Sequence, residues 1–438
     1  MLAAIFPAVE RHRTEKLIND LMAMDFSLGA FLLNYALKKS LDEGVKFIVA
    51  AKSGTRRTGG MNLTNLYAVA RIDKWLLRRR RDKQRDRLQK FYSGEACLAL
   101  GTSIRIAYQE VDVLFDAPEL PAPSELITRQ TKDFDIDTAL GLPGFKAAAE
   151  QYRVDEKKHR PSFPGSAVRI SEYREGVMTL SKADYIDQWV SNQLEIVDDN
   201  IDQIVKGKSV DIPSSMYGKT LRELELTKEQ ALPTFSRSKL ANTIGIASLV
   251  FTKDGFLVIP RRNRKVAVDK GFEGCSVSGV MKWTVGLQSD FFKEVEHQLV
   301  AGEGAEEVGL RRVVKYQPLS LCREYSRAGK PQVFSLIFTE YNIDDLKNKW
   351  SRLRSAKDEN SVIHWLRVWN PSDLSQEPDH AAKIVTTNLI TMIADDSQIR
   401  LGRGTSVALS EETRACMLYA ASFFEIYKSQ SFPTDWLE

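Results

Sequence analysis

The chain has 438 residues, which is more than one ordinary hydrophobic core accommodates and predicts two or three domains. Apolar residues make up 43% and charged residues 27%, a balance that is typical of soluble globular proteins and excludes a disordered chain. The net charge of +4 is small for this length. The overall field therefore does not indicate a nucleic-acid or membrane partner, and any such argument depends on local patches.

The cysteine pattern indicates reduced thiols. The four cysteines are far apart in the sequence and form no CxxC pair; they are Cys97, Cys275, Cys322 and Cys416. This spacing excludes a disulfide framework and a zinc ribbon, and it favours a cytoplasmic protein.

One apolar stretch near the N-terminus raises the question of a membrane span. Residues 21–37 reach the lower limit of length for crossing a bilayer. They include Asp25 and Asn34, however, and helix-rich domains bury comparable segments. We therefore expect a buried helix here and no membrane partner.

Residues 1–130 are predicted as a mainly helical N-terminal domain of unknown role, because apolar positions recur at helical spacing. A glycine- and arginine-rich loop at 52–60 is followed by the run RRRRDKQRDR at 78–87. This run is either a patch for nucleic acid or anionic lipid, or a solvated helix face with local ion pairs to Asp82 and Asp86. The lack of interleaved aromatic residues favours the second interpretation, so a nucleic-acid partner is not expected.

Residues 131–235 are predicted as a connecting region that contains one strand and one helix. Proline-rich segments precede a short alternating stretch at 167–174, which is typical of a strand. The segment SKADYIDQWVSNQLEIV has helical spacing, and Ser181 is its predicted N-cap, with Asp184 in the first turn.

A β-hairpin is predicted next. The stretches TIGIASLVF and FLVIPRR flank TKDG, and the Asp254-Gly255 pair is a strong turn signal. The second strand continues into a basic cluster, which consists of Arg261, Arg262, Arg264 and Lys265. The cluster either binds phosphate oxygens or forms an exposed shoulder of the hairpin, and these residues alone leave both interpretations open.

An acidic cluster follows further along the chain. Glu303, Glu306 and Glu307 stand at i, i+3 and i+4, so a helix places all three carboxylates on one face. Crowded carboxylates repel each other unless a cation neutralises them, and hard oxygen ligands suit Mg²⁺ or Mn²⁺. Such an ion polarises a phosphoryl oxygen and activates water, as hydrolysis of a diphosphate requires. The alternative is an acidic helix end on the surface.

This segment resembles the box of the Nudix hydrolases, G-x5-E-x7-R-E-U-x-E-E-x-G-U, where U is a bulky aliphatic residue. Glu294 takes the first Glu position, and the later matches are Glu303, Glu306, Glu307, Gly309 and Leu310. The departures are Gln288 at the opening glycine, Gly302 at the arginine and Gly304 at the first aliphatic position. Each glycine within a helix costs about 1 kcal/mol relative to alanine.

The surroundings extend the resemblance. The stretch TIGIASLVFTKDGFLVIPRRNRKVAVDKGF is similar to the atypical UDP-glucose and UDP-galactose pyrophosphatase branch, which also uses a degenerate box. The segment CREYSRAGKPQVFSLIFTEY is similar to the strand pair that follows the box in that branch. The resemblance implies an α+β fold, with a Nudix-type α/β/α sandwich and a mixed sheet over residues 236–405 and a C-terminal helix over 406–438. Residues 1–130 lie outside it.

The resemblance also implies roles for side chains. The residues expected to bind Mg²⁺ or Mn²⁺ and to carry catalysis are Glu303, Glu306 and Glu307, with Glu294 in support of the metal. The residues expected to neutralise phosphate charge are Arg261, Arg262 and Lys265. A metal-activated water would attack one phosphorus of a nucleoside diphosphate-linked substrate and release a nucleoside monophosphate and a second phosphate. Nudix domains frequently dimerise, so a homodimer is also expected.

Weaker candidates complete the prediction. Additional acid–base groups could be Asp395, Asp396 and Glu324, although the sequence favours ordinary surface carboxylates at all three. An aromatic side chain that grips the base could be Phe256, Tyr325 or Phe334. The alternative function is a nucleotide-sensing module without turnover, coupled to the helical N-terminal domain.

Overall fold

The computed structural model describes the greater part of the chain. The described residues are 63–115, 133–137, 146, 149–150, 153–154, 165–174, 177–192, 223, 225–264, 269–284, 287, 290–353, 360–396 and 407–437. The apolar stretch at 21–37 and the loop at 52–60 lie outside them. None of the described helices is long and apolar enough to cross a bilayer.

The described elements are helices and strands in mixed order. The strands are β1 (Leu98–Leu100), β2 (Ile104–Ile106), β3 (Tyr108–Val113), β4 (Ser166–Arg174), β5 (Val177–Asp184), β6 (Gly245–Thr252), β7 (Phe256–Arg262), β8 (Val277–Val280), β9 (Lys315–Glu324), β10 (Lys330–Thr339) and β11 (Asn360–Arg367). The α-helices are α1 (Leu63–Phe91), α2 (Tyr185–Asn192), α3 (Phe291–His297), α4 (Ala305–Glu307), α5 (Ile343–Arg352), α6 (Pro371–Gln376), α7 (Pro378–Ala394) and α8 (Glu411–Tyr427). A π-helix (Gln298–Gly304) joins α3 to α4, and short 3-10 turns cover Tyr325–Arg327, Lys428–Ser431 and Thr434–Trp436.

The chain divides into two compact units. The first comprises residues 1–80 and 399–408, and the second comprises residues 81–398 and 409–438. The expected boundary near residue 130 stays a prediction, although β3, which precedes it, pairs with β9 inside the second unit. The residues of β3 are mostly polar, so the sequence pattern does not predict a strand. Their partners are distant, as when the Tyr419 hydroxyl donates to the Glu110 carboxylate at 2.6 Å.

The basic run at 78–87 lies on α1 and has internal partners. Arg85 donates to the Asp82 carboxylate at 3.1 Å, which is a local ion pair of the expected kind. The sequence predicts Arg81 on a solvated helix face, but it is buried and donates to the Asp396 carboxylate at 2.6 Å. Its Nε also lies 3.4 Å from Glu411. Several arginines of this run therefore bind protein groups within their own unit; Arg78 does the same by donating to the Val407 carbonyl oxygen at 2.9 Å.

The predicted strand at 167–174 is present as β4, but the expected helix start is wrong. Ser181 lies in β5, which pairs antiparallel with β4. Helix α2 begins four residues later, and the Asp184 carboxylate accepts from the Ile186 amide at 3.0 Å. The segment pairs with β4 as far as Asp184, so strand pairing took precedence over its helical spacing.

The largest sheet is mixed and has seven strands. Its order is β11–β7–β6–β10–β9–β3, with β8 paired to β6. Strand β10 runs parallel to β6, whereas its pairing with β9 is antiparallel. The predicted hairpin β6–β7 is confirmed, and Gly255 has φ +86° in its turn. That conformation is readily accessible only to glycine. The predicted α+β fold with a mixed sheet is therefore confirmed.

Both faces of this sheet are covered, which explains why every residue of β6 and β10 is buried. One face packs on α3 and the π-helix, and the residues of this shared core include Ile246, Val250, Val333, Ile337, Phe291, Val295 and Leu299. On the other face the rings of Phe251 and Phe338 lie 5.7 and 6.2 Å from that of Phe424 in α8. All four cysteines are free, as their spacing predicts.

Candidate active site

The box segment forms a continuous helical region at the edge of β8. Asp290 begins it, because its carboxylate accepts from the Lys293 amide as an N-cap of α3. The region then widens into the π-helix and tightens again into α4. Because a π-helix has more residues in each turn than an α-helix, side chains beyond it are rotated relative to the α-helical pattern.

Two box glycines are required by close packing. A Cβ at Gly309, where φ is +78°, would lie 2.7 Å from the Lys349 Cβ. A Cβ at Gly304 would lie 2.5 Å from the Leu299 carbonyl oxygen. Gly302, which stands at the arginine position of the box, has open space around its Cβ position. Close packing therefore explains glycine at positions 309 and 304, whereas no contact requires glycine at position 302.

The three box glutamates occupy different environments. Glu303 is 21% exposed, Glu306 is exposed and Glu307 is buried. Within the described residues, no three His, Cys, Asp or Glu side chains are gathered so that they could hold a metal ion. The predicted roles of the three carboxylates in metal binding and catalysis stay a prediction. Glu303 lies in the π-helix that ends at Gly304, whereas Glu306 and Glu307 lie in α4.

Glu303 lies against the backbone of β8. A Cβ added at Gly279 would lie 2.7 Å from the Glu303 Oε1 and 2.9 Å from its Cγ. Glu303 Oε1 is also 3.9 Å from the Nζ of Lys282, whose side chain is 46% exposed. Absence of a side chain at position 279 thus allows this carboxylate to sit on the strand, beside an accessible ammonium group.

Glu294 belongs to the same region through Gln298. The Gln298 side-chain amide donates to Glu294 Oε1 at 2.7 Å and to the Lys282 carbonyl oxygen at 2.9 Å. The Gln298 Oε1 accepts from the Lys282 backbone amide at 2.7 Å. This clamp ties the box helix to the end of β8. The i, i+4 spacing of Glu294 and Gln298 is a sequence signal for their pairing, whereas no local pattern marks Lys282.

The predicted phosphate-binding residues lie elsewhere on the sheet. Arg262 extends to β8, where its Nη1 donates to the Ser278 hydroxyl at 3.4 Å. Successive residues of a strand face opposite sides of the sheet. Arg262 contacts Ser278 and Glu303 contacts Gly279, so these two side chains lie on opposite sides of β8. Arg261 pairs through its backbone with Glu273. Lys265 lies outside the described residues.

The weaker candidates are mostly buried. Asp396 and Glu324 are 4% and 6% exposed, so the expectation that they are surface groups is wrong. Asp396 binds Arg81 at 2.6 Å, and the Glu324 Oε2 lies 3.3 Å from the Nε of Arg327. Tyr325 and Phe334 are fully buried and unavailable to an external base. Phe256 is partly exposed but already has the Arg367 guanidinium 4.2 Å above its ring.

Comparison with known proteins gives partial likenesses. No family model and no curated protein matches the chain. Two similar solved structures are DR0079 from Deinococcus radiodurans and a MutT protein from Methanosarcina mazei Go1, each 15% identical. The first covers 40% of this chain and 82% of its own, with a TM-score of 0.22. The second covers 33% and 94%, with a TM-score of 0.19. Likenesses of this size do not define a family.

Proposed function

We propose that the second unit is a Nudix-type domain that hydrolyses the pyrophosphate bond of a nucleoside diphosphate-linked substrate. The observation that carries this proposal is the position of Glu303, which lies on the backbone of Gly279 beside Lys282. At this position a carboxylate of the box lies next to an accessible ammonium group and to a strand residue that has no side chain. Helices on both faces of a mixed sheet agree with the α/β/α sandwich that the box resemblance implies.

The proposed roles follow from charge and exposure. Lys282 is nearly half exposed and would neutralise phosphate oxygens next to Glu303. Gln298 would hold Glu294 and the Lys282 backbone in place. Arg261 and Arg262 are partly exposed at the end of β7 and would act only on a more distant part of the substrate. A UDP-sugar is the substrate class proposed from the sequence resemblance.

The glutamates have the hard oxygen atoms that Mg²⁺ and Mn²⁺ prefer, and the proposal includes such an ion near Glu303, Glu306 and Glu307. In the described structure these side chains are not gathered into a group that could hold one. We therefore assign no step of the reaction to the metal. The chemistry assigned to this chain is the binding and charge neutralisation of the diphosphate by Lys282 and the placement of the Glu303 carboxylate.

The second candidate is a nucleotide-binding module without turnover, coupled to the N-terminal region. One observation favours it: the box arginine is replaced by Gly302, and the helix widens into a π-helix at that position. A site that no longer gathers its carboxylates could still bind a diphosphate through Lys282.

A cleavage panel separates the two candidates. UDP-sugars, ADP-ribose, NAD and nucleoside triphosphates are incubated with Mg²⁺ or Mn²⁺, and release of monophosphate is measured. Glu303→Gln should abolish cleavage, whereas Glu425→Gln, the same change at an exposed position of α8, should have no effect. Absence of cleavage for the whole panel, together with a thermal shift by one nucleotide, would replace the hydrolase with the binding module.

A further inference from the structure

A row of buried polar side chains crosses the sheet on the face opposite the box helix. Tyr108, Glu324 and Lys330 are directly opposite one another on β3, β9 and β10. The Tyr108 ring lies 5.6 Å from that of Phe334, which in turn stacks on Tyr419 of α8. The row therefore lies beneath α8, and the proposed hydrolase function does not use it.

Lys330 is the unusual member of this row. It is 1% exposed although it carries an amine, and its backbone is paired with Glu324 of β9. Its ammonium group lies over the backbone of Gly245, where an added Cβ would overlap both the Lys330 Nζ and the Gln332 Oε1. Glycine at position 245 thus leaves room for this amine and for the neighbouring amide.

Two other buried polar atoms on this face of the sheet lack a hydrogen-bond partner among the described residues. The Gln332 Nε2 and the Tyr108 hydroxyl are buried and have no hydrogen-bond partner within the described ranges. Buried donors without a partner are rare in folded proteins, so such atoms indicate a site that a ligand completes. The Gln332 side chain lies beside the amine at Gly245, so its Nε2 can donate to an acceptor oxygen placed there.

Charged groups surround Lys330 from three elements. The Arg327 guanidinium follows β9 and lies 3.3 Å from the Glu324 carboxylate. Glu412 faces the sheet from α8, because Glu412, Cys416 and Tyr419 stand at i, i+4 and i+7 and the last two contact β10 and β9. These are the charged groups that influence the titration of Lys330, and a buried acid beside a buried amine provides a proton donor and acceptor.

We propose that Lys330 is a nucleophilic amine that binds a small aldehyde covalently as an imine, in a site completed by Gln332 and Glu412. The neutral amine attacks the carbonyl carbon and forms a C–N bond, while the carbonyl oxygen takes a proton from Glu412. The nitrogen then loses a proton to the Glu412 carboxylate. Protonation and loss of the hydroxyl as water give the C=N bond, so one amine and one aldehyde yield one imine and one water.

The electrostatics support this chemistry. Burial and the nearby Arg327 hold the pKa of Lys330 well below its ordinary value, which increases the fraction of neutral amine. Burial likewise raises the pKa of the Glu412 carboxyl above its usual range, so that it retains a proton to donate. The Gln332 side-chain amide lies beside the Lys330 amine, where it can donate to the oxygen that develops negative charge.

The test is competitive labelling of the intact wild-type protein at pH 7. Limiting acetaldehyde is added with cyanoborohydride, which reduces any imine, and the rate of ethylation of each lysine is read by mass spectrometry after cleavage at glutamates. Lys330 should be labelled at least about tenfold faster than exposed Lys83, because an ordinary lysine is almost fully protonated at this pH. Labelling of Lys330 no faster than Lys83, or only after unfolding in urea, would overturn the proposal.

Lys315 is the matched control. Burial lowers its pKa too, but its ammonium donates to the carbonyl oxygens of Gln430 and Ser431 at 2.9 and 3.1 Å. It should therefore be labelled slowly. Glu412→Gln should slow labelling of Lys330, and Glu303→Gln should leave it unchanged, which separates this site from the proposed hydrolase site. Fast labelling of Lys330 in Glu412→Gln would remove Glu412 from the proposal.

Discussion

Glu303 lies directly on the backbone of Gly279 in β8, although the two residues are distant in the sequence. The contact exists only because position 279 has no side chain. It fixes the direction of a box carboxylate that adjoins the accessible Lys282, and it makes the geometry of the candidate site dependent on a single glycine.

Replacement of Gly279 by alanine is the most direct test of this relationship. The new Cβ would lie 2.7 Å from the Glu303 Oε1, so the carboxylate must move. If the proposed hydrolysis occurs, its rate should fall on the order of 10²-fold, because small misplacements of reacting groups have effects of this size. Cleavage rates of Gly279→Ala and of the wild type give the answer, and an unchanged rate would show that the contact is irrelevant to activity.

The glycines of the π-helix predict two opposite effects on stability. Gly302→Ala should raise the free energy of unfolding by about 0.4–1 kcal/mol, because its Cβ meets open space and alanine restricts the unfolded chain. Gly304→Ala should lower it by about 1–3 kcal/mol, because its Cβ would lie 2.5 Å from the Leu299 carbonyl oxygen. Urea unfolding of the two variants measures both effects. Equal effects of the same sign would contradict the described packing.

Arg81 should be far more important for stability than the other charges of its run. Arg81→Leu leaves the buried carboxylate of Asp396 without its guanidinium partner and should lower the free energy of unfolding by about 3–5 kcal/mol. Exposed Arg87 on the same helix is the control, and Arg87→Leu should change stability by less than about 0.5 kcal/mol. Similar unfolding midpoints for both variants would refute a structural role for the Arg81–Asp396 pair.

Asp187 predicts a pH dependence of stability. Burial raises the pKa of its carboxyl from 3.8 to about 6, even though it accepts from the Asp184 amide and lies near Arg153. The folded protein therefore binds this proton more tightly than the unfolded chain. The stability that it contributes is fully present below pH 3.8 and is lost as the pH rises through about 6. Asp187→Asn should flatten this part of the curve of unfolding free energy against pH, and an unchanged slope would assign it to other groups.

Much of the sheet could be predicted from the sequence, because its signals are local. The Asp254-Gly255 turn and the apolar runs beside it determine the β6–β7 hairpin, since turn chemistry and strand patterning depend on neighbouring residues. By contrast, β3 has a polar sequence, and only its pairing with β9 and the Tyr419 contact to Glu110 explain it.

The sequence by itself determined the β6–β7 hairpin and a run of carboxylates with the spacing of a metal-binding box. Tertiary structure decided where those carboxylates lie, because the π-helix changes the direction of the side chains beyond it and Gly279 selects the position of Glu303. It also buried Glu324, Asp396 and Lys330, three charges that the sequence pattern does not distinguish from surface groups. The physical reason is that burial and pairing depend on segments distant in the chain, whereas periodicity reports only on residues a few positions apart.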